Sequence, residues 1–200
     1  MSPVLRASLC ALPGVALGVA GLFHPAYLTY TTSHTWWVLH VVGMFVFPLV
    51  GVGLGSLVWG RRDPVALLVL LTAFVYAVAY NALDIISGIA AGWVTWKLGP
   101  GQLRPDEVSY LFRIGTPLGQ VGSIALLAAV LLVLLDALRR LRLAALPAVL
   151  LLPGAYLVHT HHIFHPEGVI GMVLIGLSTG WLAWAGSTRR GAARSSRATA

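Results

Sequence analysis

The nonapeptide from Val158 to Pro166, "VHTHHIFHP", sets His159 three residues before His162, His162 three before His165, and His161 four before His165. Either spacing puts two imidazoles on one face of a helix, within reach of a common ion. Imidazole nitrogen is a natural donor to zinc, copper or iron, and a carboxylate oxygen completes such a set. Elsewhere in the chain His40 and Asp84 offer the missing groups. The candidate metal ligands are therefore His40, His159, His162 and Asp84, with His40 and Asp84 as candidate proton-transfer residues. Tyr80, Asn81, His24, His161 and His165 are candidate supporting residues. None of the HExxH, CxxC and CxxCH signatures occurs, and a single cysteine, Cys10, excludes an internal disulfide framework and a cysteine-only metal centre.

Those residues sit in an unusually apolar chain. Of 200 residues, 58% are hydrophobic and only 10% charged, and the mean hydropathy is +0.86. A water-soluble chain of this length cannot hide so much apolar surface. The net charge of +7 would suit nucleic acid if it formed a patch, but the arginines fall in short clusters between apolar runs. That pattern signals membrane topology and argues against a nucleic-acid partner.

Crossing ~30 Å of hydrocarbon takes roughly 20 apolar residues. Six runs qualify, at about 7–24, 36–59, 65–93, 116–138, 143–163 and 168–186. The fold expected is an all-α membrane bundle of six spans forming one domain over 1–187. The first run also reads as a signal peptide, with Arg6 before Leu9–Leu22. It is kept as a span because Leu12-Pro13-Gly14 followed by Phe23-His24-Pro25 is echoed by Leu152-Pro153-Gly154 followed by Phe164-His165-Pro166. Spans 1–2 and 5–6 would then be related hairpins. Glycine pairs four apart, such as Gly14 with Gly18 and Gly176 with Gly180, predict close helix packing and offer faces for oligomerisation.

Counting six spans places Arg6, Arg61, Arg62, Arg139, Arg140, Arg142, Arg189, Arg190, Arg194 and Arg197 on one side, and Lys97, Arg104 and Arg113 on the other. Both termini are then cytoplasmic, and the setting is a bacterial plasma (inner) membrane. Pro105, Asp106 and Glu107 read as a helix start, predicting a short helix on the outer surface within the 97–115 loop. The stretch 188–200, basic and rich in small residues, reads as a disordered cytoplasmic tail. Asp63 and Asp136, beside inner arginines, read as solvated flanks.

In this topology every histidine falls in the outer half. Asp84 lies roughly 13 Å below the outer end of the third span by helical rise. A carboxylate at such depth costs about 2.5–3.5 kcal/mol on insertion scales, so it is a functional candidate by default. Tyr80, Asn81, Ser87 and Gly88 share its helical face and should turn inward. If spans 2, 3 and 5 adjoin, His40, Asp84 and His159 or His162 meet beneath the outer surface.

The chemistry expected is that of a metal-dependent membrane enzyme acting on a lipophilic small molecule from the bilayer, with an ion polarising water and Asp84 handling its proton. The competing classes are a b-type haem or redox protein using two of the histidines, an ion or small-molecule transporter or accessory protein, and a non-catalytic structural protein.

Overall fold

The computed structural model describes residues 1–101 and 105–198, with side chains as far as Arg189. Arg104 and the side chains of Arg190, Arg194 and Arg197 lie outside the described residues. All regular structure among the described residues is helical: α1 (Pro3–Gly21), α2 (Tyr30–Ser56), α3 (Pro64–Leu83), a wider π-type turn (Asp84–Ala90), α4 (Ala91–Leu98), α5 (Asp106–Leu141), a 3-10 stretch (Arg142–Leu150), α6 (Leu151–His161) and α7 (Glu167–Ala198).

Local chemistry sets the helix starts. Ser2 caps α1 by accepting from the Leu5 amide at 3.2 Å, with Pro3 at the first helical position. Thr29 opens α2 through a reciprocal capping box with Thr32. Asp63 caps α3 ahead of Pro64, accepting from the Ala66 amide at 3.2 Å.

Five helices are long and apolar enough to cross a membrane: Pro3–Gly21, Tyr30–Ser56, Pro64–Leu98, Asp106–His161 and Glu167–Arg189. The fourth is not straight. At Arg142 the backbone turns into the left-handed region, with φ 53°, and the chain doubles back so that Ser123 Oγ lies 2.8 Å from His159 Nδ1. The outward faces carry large apolar side chains, Phe45 at 66% and Phe74 at 65% exposure, which lipid tolerates and water does not. Leu54, Leu126, Val130 and Met172 fill the interior.

Three expectations change. The outer helix of the 97–115 loop is not a separate element, because the helix that Pro105 opens runs unbroken through Pro117 to Leu141. With neighbouring helices covering the backbone, an internal proline does not end it. The stretch after Ser187 continues α7 to Ala198, since alanine and arginine are good helix formers. Asp136 is no solvated flank. It is buried and takes Arg61 Nη1 at 2.8 Å, Arg61 Nη2 at 3.0 Å and Arg140 Nη2 at 2.5 Å. Arg61 also grips Asp63 at 2.7 and 2.9 Å. That guanidinium holds the Asp63 carboxyl below its usual range, and the two carboxylates push Arg61 further above its own. The network ties the start of α3 to the end of α5.

Glycine sets the closest contacts. A Cβ on Gly14 would lie 2.6 Å from the Gly176 amide nitrogen, and one on Gly154 would lie 2.9 Å from the Gly171 carbonyl oxygen, so α7 is flanked by α1 and α6 at backbone distance. Gly14→Val forces the α1 and α7 backbones apart and is expected to destabilise the bundle by about 1–3 kcal/mol. Thermal unfolding in detergent, with lipid-facing Leu12→Val as control, measures this; equal midpoints for the two variants would contradict the packing.

Candidate metal centre

His24, His40 and His162 come from three separate segments and meet at one end of the bundle. His24 stands on the connection after α1, His40 lies in α2, and His162 follows α6. One ligating atom from each lies within 4.8 Å of the others. His162 takes φ 54°, a left-handed conformation that turns the chain at the end of α6.

The tautomers follow from the partners. His40 Nδ1 lies 2.6 Å from the Trp36 carbonyl oxygen and His24 Nδ1 lies 2.8 Å from that of Pro25. A carbonyl can only accept, so each Nδ1 carries the proton, and in a neutral ring each Nε2 is a bare lone pair. The two Nε2 atoms face each other at 3.5 Å. His162 Nδ1 meets the Tyr80 hydroxyl at 2.5 Å; when Nδ1–H donates to that oxygen, the third Nε2 is bare too. Burial lowers the His24 pKa from its ordinary value, against the opposing pull of the Pro25 carbonyl, so the ring is neutral near pH 7.

Aromatic rings enclose the three imidazoles. His24 packs edge-on against Trp36 (4.7 Å between centroids) and Phe164 (4.6 Å), Trp36 stacks on His40 (5.3 Å), and Phe47 stacks on His162 (5.6 Å). Trp36 Nε1 also donates to the Ser87 carbonyl at 3.1 Å, fastening α2 to the π-type turn. Such turns occur often at functional sites. Here it begins at Asp84, whose Oδ1 lies 3.9 Å from His40 Nε2. Asp84 is fully buried, and neither carboxylate oxygen has a hydrogen-bond partner among the described residues. Tyr76 Oη and Asn81 Oδ1 are likewise buried without one. A carboxylate in this position lacks the cation or donor that burial demands.

Glycines make room for both groups. A Cβ on Gly43 would stand 3.3 Å from each Asp84 oxygen, and one on Gly88 would collide with the His40 ring.

A cavity of about 310 Å³ adjoins His40 and His162, walled by Trp36, Phe112 and Phe164 and by the polar groups of Thr116, Gln120 and Ser123. His159 lines this cavity with its Nδ1 on Ser123, and it stands outside the three-histidine group. His161 is an exposed rim residue bonded to Thr160 Oγ1 at 2.7 Å. His165 is exposed and outside the group. Tyr80 backs His162, and Asn81 is half-buried.

The sequence reading missed the polar cavity wall, although Thr116, Gln120 and Ser123 fall at i, i+4 and i+7 on one face of α5. It also gave His24 only a supporting role, because nothing in the spacing reveals that the loop after α1 folds over α2. Comparison with protein-family models, curated proteins and solved structures gives no match.

Displacing the His40 ring should loosen an ion held there. Gly88→Ala is expected to weaken zinc binding by about 10–100-fold, the range for lost support around a metal ligand. Zinc titration of the purified variant measures it, and wild-type affinity would remove Gly88 from the site.

Proposed function

We propose that this protein is a metal-dependent membrane enzyme whose divalent ion is held by His24, His40 and His162, with Asp84 as proton acceptor. The carrying observation is the pair of bare Nε2 atoms 3.5 Å apart. Two lone pairs at that separation repel unless a proton or cation lies between them. The distance exceeds the roughly 3.2 Å of a good N–H hydrogen bond. It matches the edge, about 3.3 Å, of a tetrahedron with zinc–nitrogen bonds of about 2.0–2.1 Å. His24 and His40 each donate the other ring N–H to a backbone carbonyl, and His162 meets the Tyr80 hydroxyl through its own Nδ1, the usual kind of support for a metal-bound histidine.

His24, His40 and His162 would hold the ion, which would supply Lewis-acid activation of a water. Asp84 would accept that water's proton and return it to the leaving group as water cleaves the acyl–oxygen or acyl–nitrogen bond of a substrate in the adjoining cavity. The cavity's aromatic wall and its polar face, Thr116, Gln120 and Ser123, suit an amphiphile drawn from the bilayer. Zinc fits this donor set best, with iron and copper behind it. A haem fits less well: the His24 and His40 rings meet edge to face with centroids 5.0 Å apart, which leaves no slot for a macrocycle between them.

The turn at Arg142 supports six membrane crossings, because it divides the longest apolar stretch into two antiparallel arms. With six, both termini face the cytoplasm of a plasma membrane and the histidine site opens outward.

Metal analysis of purified protein tests the reading. About one zinc, iron or copper ion per chain is expected, lost in His40→Ala and His162→Ala and kept in His159→Ala. Asp84→Asn should keep the ion yet lose hydrolysis of amphiphilic ester and amide probes. A chain that neither retains nor takes up any of these ions would sink the proposal.

A further inference from the structure

The end of the bundle opposite the histidines holds a second cavity, of about 250 Å³, around which Arg6 of α1, Arg140 of α5 and Arg189 of α7 converge. Arg6 and Gly21, the end of α1 that precedes His24, are about 22 Å apart by helical rise. The cavity is independent of the metal reading. Leu57, Val133 and Leu182 supply apolar lining.

Its charges do not balance. Asp136 is the one carboxylate lining the cavity, and both its oxygens are already taken, by Arg61 at 2.8 and 3.0 Å and by Arg140 at 2.5 Å. Arg6 Nη2 donates to the Ser56 carbonyl at 3.0 Å, and Arg189 Nη1 donates to the Arg140 carbonyl at 2.7 Å. These helix-end carbonyls fix each guanidinium in place but engage only part of its five-donor fork. Among the described lining residues the guanidiniums of Arg6, Arg140 and Arg189 face one carboxylate, Asp136, three positive charges against one negative, and Arg61 adds a fourth guanidinium that is shared with Asp63. Topology alone requires arginines at this end but not their convergence from three helices on one cavity. Arg62 and Arg139 meet the same requirement from positions off it, exposed as Arg140 and Arg189 also are.

We propose that this cavity binds a phosphate-bearing anion, with its oxygens on Arg6, Arg140 and Arg189 and any apolar portion on Leu57, Val133 and Leu182. Arginine forks match phosphate oxygens in geometry as well as charge. Basic pockets between membrane helices hold lipid headgroups in this way. A free phosphate and a phospholipid headgroup share that chemistry.

The full chain in neutral detergent is titrated with phosphatidylglycerol, with phosphatidylcholine and, separately, with inorganic phosphate, and bound ligand is read by native mass spectrometry. Phosphatidylglycerol is expected to bind at least tenfold more tightly than phosphatidylcholine. R6Q/R189Q removes two cavity charges while leaving an amide to reach each carbonyl, and should weaken binding roughly thirtyfold. R62Q/R139Q removes the same charge from positions outside the cavity lining and should cost less than threefold. Equal losses in the two pairs, or no loss in either, would overturn the proposal. Inorganic phosphate binding with the same R6Q/R189Q sensitivity makes the ligand a soluble phosphate; sensitivity confined to the lipid makes it a headgroup. If R6Q/R189Q loses its helical circular dichroism, R189Q alone decides: a several-fold loss supports the site, and unchanged affinity overturns it.

Discussion

Two bare imidazole nitrogens held 3.5 Å apart inside a ring of aromatic side chains are the constraint around which this end of the bundle is arranged. Neither histidine is free to turn its lone pair away, because each Nδ1–H is committed to a carbonyl. Rotating either ring would strand a buried donor at a cost of about 1–3 kcal/mol. Keeping the rings in place keeps two lone pairs opposed. Under the proposed reading a cation between them relieves that opposition.

That room comes from backbone rather than from side chains. Gly88 gives its surface to the His40 ring and Gly43 gives its surface to the Asp84 carboxylate. The π-type turn from Asp84 to Ala90 changes which residues of the third span face inward, and Trp36 secures it through the Ser87 carbonyl. Asp84 stands beside two neutral bases without satisfying either, since 3.9 Å from His40 Nε2 is too long for a hydrogen bond. An ion at the histidines would stabilise the carboxylate and relieve the opposed lone pairs together. At the other end of the bundle guanidiniums outnumber carboxylates around a smaller cavity.

The helical character of the fold was legible because apolar length is dictated by the bilayer rather than by tertiary detail. The apolar runs emerge as helices, and their starts follow from Ser2, Thr29 and Asp63 acting as caps. The outer surface helix was misjudged because sequence gives no way to see that Pro117 sits where neighbouring helices let α5 continue. For the site, Asp84 and His40 stood out by depth, and they are adjacent in the fold. His162 stood out through its neighbours. The choice among His159, His161 and His162 was not legible, because helical spacing treats them as alternatives on a wheel while the chain leaves the helix at His162 with φ 54°.

The internal echo in the sequence shows why His24 could not be read from pattern alone. Each Leu-Pro-Gly segment brings its glycine against α7, Gly14 against Gly176 and Gly154 against Gly171. If the echo were structural, His24 would behave as His165 does, yet His24 is buried among aromatic rings and His165 is exposed. The connections after the two segments differ. After α1 the chain passes over α2 and carries His24 onto His40, whereas after α6 the residue delivered to the centre is His162, three positions earlier. The three histidines that meet therefore come from three unlike settings, a loop, a helix interior and a helix end, which a sequence echo does not reveal.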